Sequence, residues 1–359
     1  MKKTLNALLV AVVAIAVVGC EGPEGPAGED GADGAPGSDG APGAPGAPGA
    51  PGAPGAPGDP GEDAAVDVVG LPPTVFGPES IQAAADGTLF VTSIGNGAVV
   101  KIAPDRTTIT TFLAPEAAQP LGKTGMFIDE VNDDFWVCAI ATDFSVASEL
   151  RRYTLSTGML EDTLPLTNNG VCNDLAMDAA GNLYVTDSFF GIQRVAAGTD
   201  VLEVDWSQDA LFTAGANEFA VNGIVLDGTN LYVDNLTSGD LIRVPILGNG
   251  DAGTPVVVDL VDGFGAAAAL SFPDGMRLLA PNTLLVAESG ANALTQVVVD
   301  ATDDTGVRTV LTNRLDLPAA VAVADGDAWV AEGQIDRIFD AAQFGDLVFP
   351  FQIVRVELF

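Results

Sequence analysis

The sequence predicts an all-β protein, a six-bladed β-propeller preceded by an N-terminal collagen-like stalk of polyproline II character. Three observations carry that prediction. A short apolar triplet ending in Val recurs six times between residues 71 and 359. Glycine occupies every third position from Gly22 to Gly61. Elsewhere, short apolar runs are bounded by Gly, Asn and Asp turns, and no long stretch keeps a helical period.

In chain order, Lys2 and Lys3 precede an unbroken apolar stretch from Ala7 to Val18. This is the charged head and apolar core of an export signal, and its 12 residues are too few to span a bilayer. The stretch ends Val17-Val18-Gly19-Cys20, which resembles the lipobox of bacterial lipoproteins. On that resemblance residues 1–19 are the signal peptide and Cys20 is the lipidated first residue of the mature chain. The protein is then an exported lipoprotein of the cell envelope, facing periplasm or exterior and touching the membrane through its lipid alone. The alternative is a plain secretory signal with a chance cysteine.

Residues 20–63 hold the lipid-bearing Cys20 and the stalk, with 14 glycine-led triplets that include six consecutive Gly-Ala-Pro units from Gly40 to Pro57. Only glycine fits the axis of a triple helix, and proline pre-sets its torsions, so the tract suits a homotrimeric rod. A monomeric semi-rigid stalk is the alternative, because every charge from Glu21 to Asp63 is negative and Pro-rich chains stay extended unaided. Either form would reach about 130 Å at polyproline II rise. Residues 64–75 read as a linker.

Residues 76–359 carry the repeat. Leu89-Phe90-Val91, Phe135-Trp136-Val137, Leu183-Tyr184-Val185, Leu231-Tyr232-Val233, Leu284-Leu285-Val286 and Ala328-Trp329-Val330 follow one another at valine intervals of 46, 48, 48, 53 and 44 residues. A unit of this size cannot bury its own apolar face, and the spacing matches a four-stranded blade in a radial array. Gln352 to Leu358 reads as a late outer strand.

Composition narrows the chemistry. The chain has 49 Asp plus Glu, 14 Lys plus Arg and no His, for a net charge of −35. Ser-His-Asp and Cys-His catalysis, imidazole metal sites and histidine proton shuttles are excluded. So is nucleic acid as a partner, since so few basic residues cannot match a phosphate backbone.

Twelve residues before the repeat valines lies the start of the strand that lines the channel. There stand Glu79, Asn173 and Asp274 in blades one, three and five, while Asn222 stands 11 residues back in blade four. Gly125 and Pro318 occupy the other two openings. Two carboxylates and two amide oxygens at equivalent heights make a hard-oxygen site suited to a divalent cation, Ca²⁺ above thiophilic metals. Turn capping is the competing account, because Asn and Asp are common at strand entries; Glu79 fits it poorly.

These openings, in FGPESIQAAADGTLFV, VCNDLAMDAAGNLYVTDS, VNGIVLDGTNLYV and FPDGMRLLAPNTLLVAES, resemble those of the gluconolactonase and regucalcin (senescence marker protein) family over most of residues 76–335. The resemblance implies Glu79, Asn222 and Asp274 as cation ligands and Asn173 as a substrate contact. It further implies metal-dependent hydrolysis of a small-molecule lactone or related ester, with Asp274 activating water. Val171 replaces an arginine common in the family's sugar lactonases. A non-catalytic propeller binding a ligand or protein, with a structural cation, is the alternative function.

The second strands end at Ser93, Asp187, Asn235, Glu288 and Glu332, read as loop-tip polarity or as support for the pocket. Gly122-Lys123-Thr124 ends like a phosphate-binding loop, but Ala117 stands where the first glycine is needed, so it reads as a blade connection. Cys138 and Cys172 fall in adjacent blades, and spacing alone leaves disulfide and free thiols open.

Overall fold

The computed structural model of the chain describes residues 67–115, 121–143, 145–167, 169–215 and 218–358. The signal segment 1–19, Cys20 and the stalk 20–63 lie outside the described residues. The described residues belong to one compact unit, 58–359.

Six sheets stand around one axis. The innermost strands are Pro78–Ala83, Gly122–Asp129, Cys172–Met177, Val221–Asp227, Pro273–Ala280 and Pro318–Ala324. Each packs beside the next, and the last returns to the first, which closes the ring. The six apolar triplets fall in the second strands, Leu89–Ser93, Asp134–Ile140, Leu183–Asp187, Asn230–Asn235, Thr283–Glu288 and Asp327–Glu332, and their valines are fully buried.

The core is not central but lies between blades. Phe90, Met126 and Phe135 pack the first interface. Trp136 and Leu175 pack the second, and Tyr184 with Ile224 the third. Tyr232 with Met276 fills the fourth, Leu285 with Val321 the fifth, and Ile81 with Trp329 closes the sixth. Both faces of each thin sheet are thereby buried, which is why a single repeat could not fold alone.

Two features depart from a plain repeat. Gln352–Val356 is the third strand of blade six, and the outermost is Val68–Gly70, from the 64–75 segment, which pairs antiparallel through Val68 and Val354. Strands from both ends of the domain therefore share one sheet. Blades four and five are also joined along their outer edges, where Val256–Val261 pairs in parallel with Thr305–Thr312. That pairing covers two sheet edges that would otherwise be open.

Gly122-Lys123-Thr124 opens the inner strand of blade two, with Lys123 buried. Cys138 and Cys172 form a disulfide, with Cα atoms 5.3 Å apart, linking the second strand of blade two to the inner strand of blade three.

Candidate functional site

The inner strands of blades one, three, four and five all open on a β-bulge. In blade one Pro78 pairs with Ser93 and Ile81 with Val91, so Glu79 and Ser80 together face Thr92. The same irregularity falls between Cys172 and Leu175, Val221 and Ile224, and Pro273 and Met276. A bulge re-aims a side chain out of the sheet. The residues in position to be re-aimed, each second in its strand, are Glu79, Asn173, Asn222 and Asp274.

All four sequence-predicted residues line one cavity of about 450 Å³. The same four border a constriction of about 10 Å³, whose other walls include Gly125, Asp174 and Arg277. They therefore form the boundary between a wide cavity and the narrow channel. Glu79 and Asn222 are buried, whereas Asn173 and Asp274 keep part of their surface open to the cavity. The Asn173 amide donates to Ser188 Oγ at 3.1 Å, which fixes its orientation.

Three charged residues that the sequence reading did not single out stand at the same level. Asp174 is buried beside Asn173; its Oδ1 accepts from Leu175 N at 2.9 Å. Strict strand alternation would send it to the opposite face, and the bulge lifts that restriction. Asp234 takes the place held by Thr92 and Thr186 in blades one and three. Those hydroxyls accept from Ser80 N and Asp174 N at 2.9 and 2.8 Å, and Asp234 Oδ1 accepts from Gly223 N at 3.2 Å. Its Oδ2 is buried without a hydrogen-bond partner. Arg277 reaches from blade five to donate to Ile81 O at 3.2 Å, with Nη1 3.8 Å from Asp174 Oδ2.

Four carboxylates thus share this region with the Arg277 guanidinium. Burial pushes the Glu79 carboxyl well above the ordinary range, Asp274 and Asp174 push it further, and Arg277 opposes them. Asp274 is raised well up by burial, then by Asp174 and Asp336, against a hydrogen bond from Asn222. Asp234 is driven up by burial and then by Asp274. Uncompensated negative charge out of contact with water is costly. A divalent cation would relieve that cost, and the carboxylate and amide oxygens are the donors Ca²⁺ takes. Among the described residues no three His, Cys, Asp or Glu side chains are already gathered as a metal cluster. The set at the cavity floor mixes two carboxylates with two amides.

The second-strand ends are not loop-tip polarity: Ser93, Asp187, Asn235, Glu288 and Glu332 are all buried. Four of them hold the segment entering their own blade. Ser93 Oγ accepts from Phe76 N at 2.9 Å, Asp187 Oδ1 from Val171 N at 3.0 Å, Glu288 Oε2 from Ser271 N at 2.7 Å and Glu332 Oε1 from Asp316 N at 2.8 Å. Asn235 caps its own turn through Thr237 N and Ser238 N, both at 3.1 Å, and its amide also donates to Leu211 O at 3.0 Å on the segment leading into blade four. These buried bonds set where the bulged openings begin.

The collagen triple helix repeat family model matches residues 17–67. No curated protein matches the chain. Among solved structures, a calcium-binding protein, regucalcin, from Agrobacterium tumefaciens is similar at TM-score 0.56 and 17% identity, covering 82% of this chain and 93% of that one. A luciferin-regenerating enzyme is similar at TM-score 0.56 and 12% identity, covering 82% and 96%. Virginiamycin B lyase from Staphylococcus aureus is similar at TM-score 0.52 and 12% identity, covering 82% and 99%. The likeness is one of fold. At such identities the chemistry has to be argued from the site itself.

Proposed function

We propose that the protein is a divalent-cation-dependent hydrolase of a lactone or related ester. The observation that carries this reading is the meeting of Glu79, Asn173, Asn222 and Asp274, from four separate blades, at the floor of one cavity. Glu79, Asn222 and Asp274 hold the cation, with Ca²⁺ the best match to their oxygens. When bound, the cation supplies Lewis-acid polarisation of the substrate carbonyl. Asp274 takes the proton of the attacking water and returns it to the alkoxide oxygen released when the ester bond breaks. Asn173, steadied by Ser188, positions the substrate. The buried caps on the entering loops keep these groups in register.

The signal, Cys20 and the collagen repeat support display of the propeller on the cell envelope by a lipid anchor, with the stalk as spacer or as a homotrimeric rod. A non-catalytic binding propeller with a structural cation is the second reading. One observation favours it: among the described residues Glu79 and Asp274 are the carboxylates at the cavity floor, Asp174 and Asp234 lying outside its lining, and if both are ligands no separate general acid stands there.

The test is lactone turnover by the full chain with EDTA and with added Ca²⁺. The hydrolase reading expects turnover that EDTA abolishes and Ca²⁺ restores. Glu79→Gln loses activity that excess Ca²⁺ partly recovers, whereas Asp274→Asn is not recovered. Cation binding without any ester or lactone turnover would move the assignment to the binding propeller.

A further inference from the structure

We propose that the part of the substrate outside the reacting group is an uncharged hydrocarbon, an aliphatic chain or fused ring, and not a polyol. This rests on the hydrolase reading and deepens it. The argument comes from the wall of the cavity above the floor. Three residues past each repeat valine the chain leaves the second strand for the mouth, and at that place stand Ile94, Ile140 and Leu236 in blades one, two and four. All three line the cavity. Val171 and Phe219, on the segments entering blades three and four, face it beside them. Ile94, Ile140 and Val171 are buried together, with Phe219 and Ile335 packed against them, and Phe219 stacks on Phe189 at 5.4 Å.

The hydroxyls on this wall are already engaged. Thr124 donates to Cys172 O at 3.1 Å and Ser289 to Phe272 O at 3.1 Å. A sugar pressed against such a wall would leave its own hydroxyls unpaired, at a loss on the order of tenfold or more in affinity for each. No Lys or Arg borders the cavity among the described residues, so an anionic substrate would find no counter-ion. Asp336 at the mouth adds further negative charge. A cavity of about 450 Å³ lies in the range that encloses a drug-sized molecule. At that place blades three, five and six carry Ser188, Ser289 and Gly333, so the apolar wall is drawn from blades one, two and four and from the segments entering blades three and four.

The experiment uses the full chain with Ca²⁺, δ-lactones bearing alkyl chains of increasing length, gluconolactone, and the matching 2-alkylcyclohexanones as non-hydrolysable ligands followed by calorimetry. Each methylene that enters the cavity should raise kcat/KM and ketone affinity about fourfold until the space is filled. Gluconolactone should be turned over at least about a hundredfold less efficiently than the best alkyl lactone. Phe219→Asn and Leu236→Asn, each checked for an intact melting transition, should flatten the chain-length dependence. A flat series or a preference for gluconolactone, with Ca²⁺-dependent turnover intact, overturns the hydrocarbon inference and leaves the hydrolase reading standing. Chain-length-dependent ketone binding without cleavage of any lactone supports the inference and overturns the hydrolase reading. Binding of neither class overturns both.

Discussion

Replacing Asp234 by Asn should move stability and cation affinity in opposite directions. The side chain has no exposed surface; Oδ1 accepts from Gly223 N at 3.2 Å, while Oδ2 is buried without a partner. Asparagine keeps the shape and the Oδ1 acceptor and is neutral at every pH, so the fold no longer has to take up the proton that burial and Asp274 impose on the carboxyl. Each pH unit above the unfolded carboxyl value adds about 1.4 kcal/mol to that cost while the folded side chain stays protonated, and an unpartnered amide nitrogen in the place of Oδ2 offsets part of the gain. At pH 7 the metal-free variant should therefore be more stable by about 1–3 kcal/mol, or roughly 2–5 °C in melting temperature for a domain of this size. The same change removes a negative charge behind the cation ligands, and supporting groups of this kind are worth about 10–100-fold in metal affinity. Urea unfolding in EDTA and calorimetric Ca²⁺ titration measure the two effects. A variant that is less stable in EDTA, or that binds Ca²⁺ as tightly as the parent, would refute the charge argument.

Three further outcomes are expected. Cys138→Ser with Cys172→Ser opens a loop of 34 residues, and the chain-entropy relation puts the loss at about 3–4 kcal/mol, seen as a lower urea midpoint; an unchanged midpoint would mean the bond contributes nothing. Asn173→Ala should lower kcat/KM on lactones at least tenfold while Ca²⁺ affinity stays within twofold, and equal losses in both would make Asn173 a ligand. The carboxyls of Glu79, Asp174, Asp187, Asp234, Asp274 and Glu332 are all raised, chiefly by burial. Such groups hold protons in the fold that the unfolded chain has released, so their contribution is complete below the unfolded values and is lost as pH rises through the folded ones. The metal-free chain should therefore have a higher urea midpoint at pH 5 than at pH 7. Exposed Asp105, held at about 2 by hydrogen bonds from Thr108 and Thr107, titrates below that window.

The repeat made the propeller legible because burial on both faces of a blade forces the same apolar triplet into every second strand. The four openings were legible for the same reason, since equivalent positions in a radial array meet at one axis. Asp174 escaped because alternation assigns it to the wrong face, and only a bulge, which leaves no mark in residue type, turns it toward the channel. Asp234 escaped because nothing in LYVDN separates a buried carboxylate from a strand-end turn; its alignment with Thr92 and Thr186 was the available signal. Ser93, Asp187, Glu288 and Glu332 resembled loop tips because their partners are backbone amides 16 or 17 residues upstream, which no side-chain pattern reports. Val68–Gly70 was too short to stand out as a strand, and what places it is a pairing with residues near the far end of the domain. The Cys138–Cys172 bond depended on the packing of neighbouring blades, which spacing in the sequence does not supply.

Calorimetric titration of Ca²⁺ into the full chain, beside Glu79→Gln, Asn222→Ala and Asp274→Asn, tests the central claim most directly. The account predicts one saturable site in the parent chain, weakened by at least an order of magnitude in each variant, a loss of about 1.4 kcal/mol or more. Identical isotherms for all four proteins would contradict it and would make these side chains caps of their own turns.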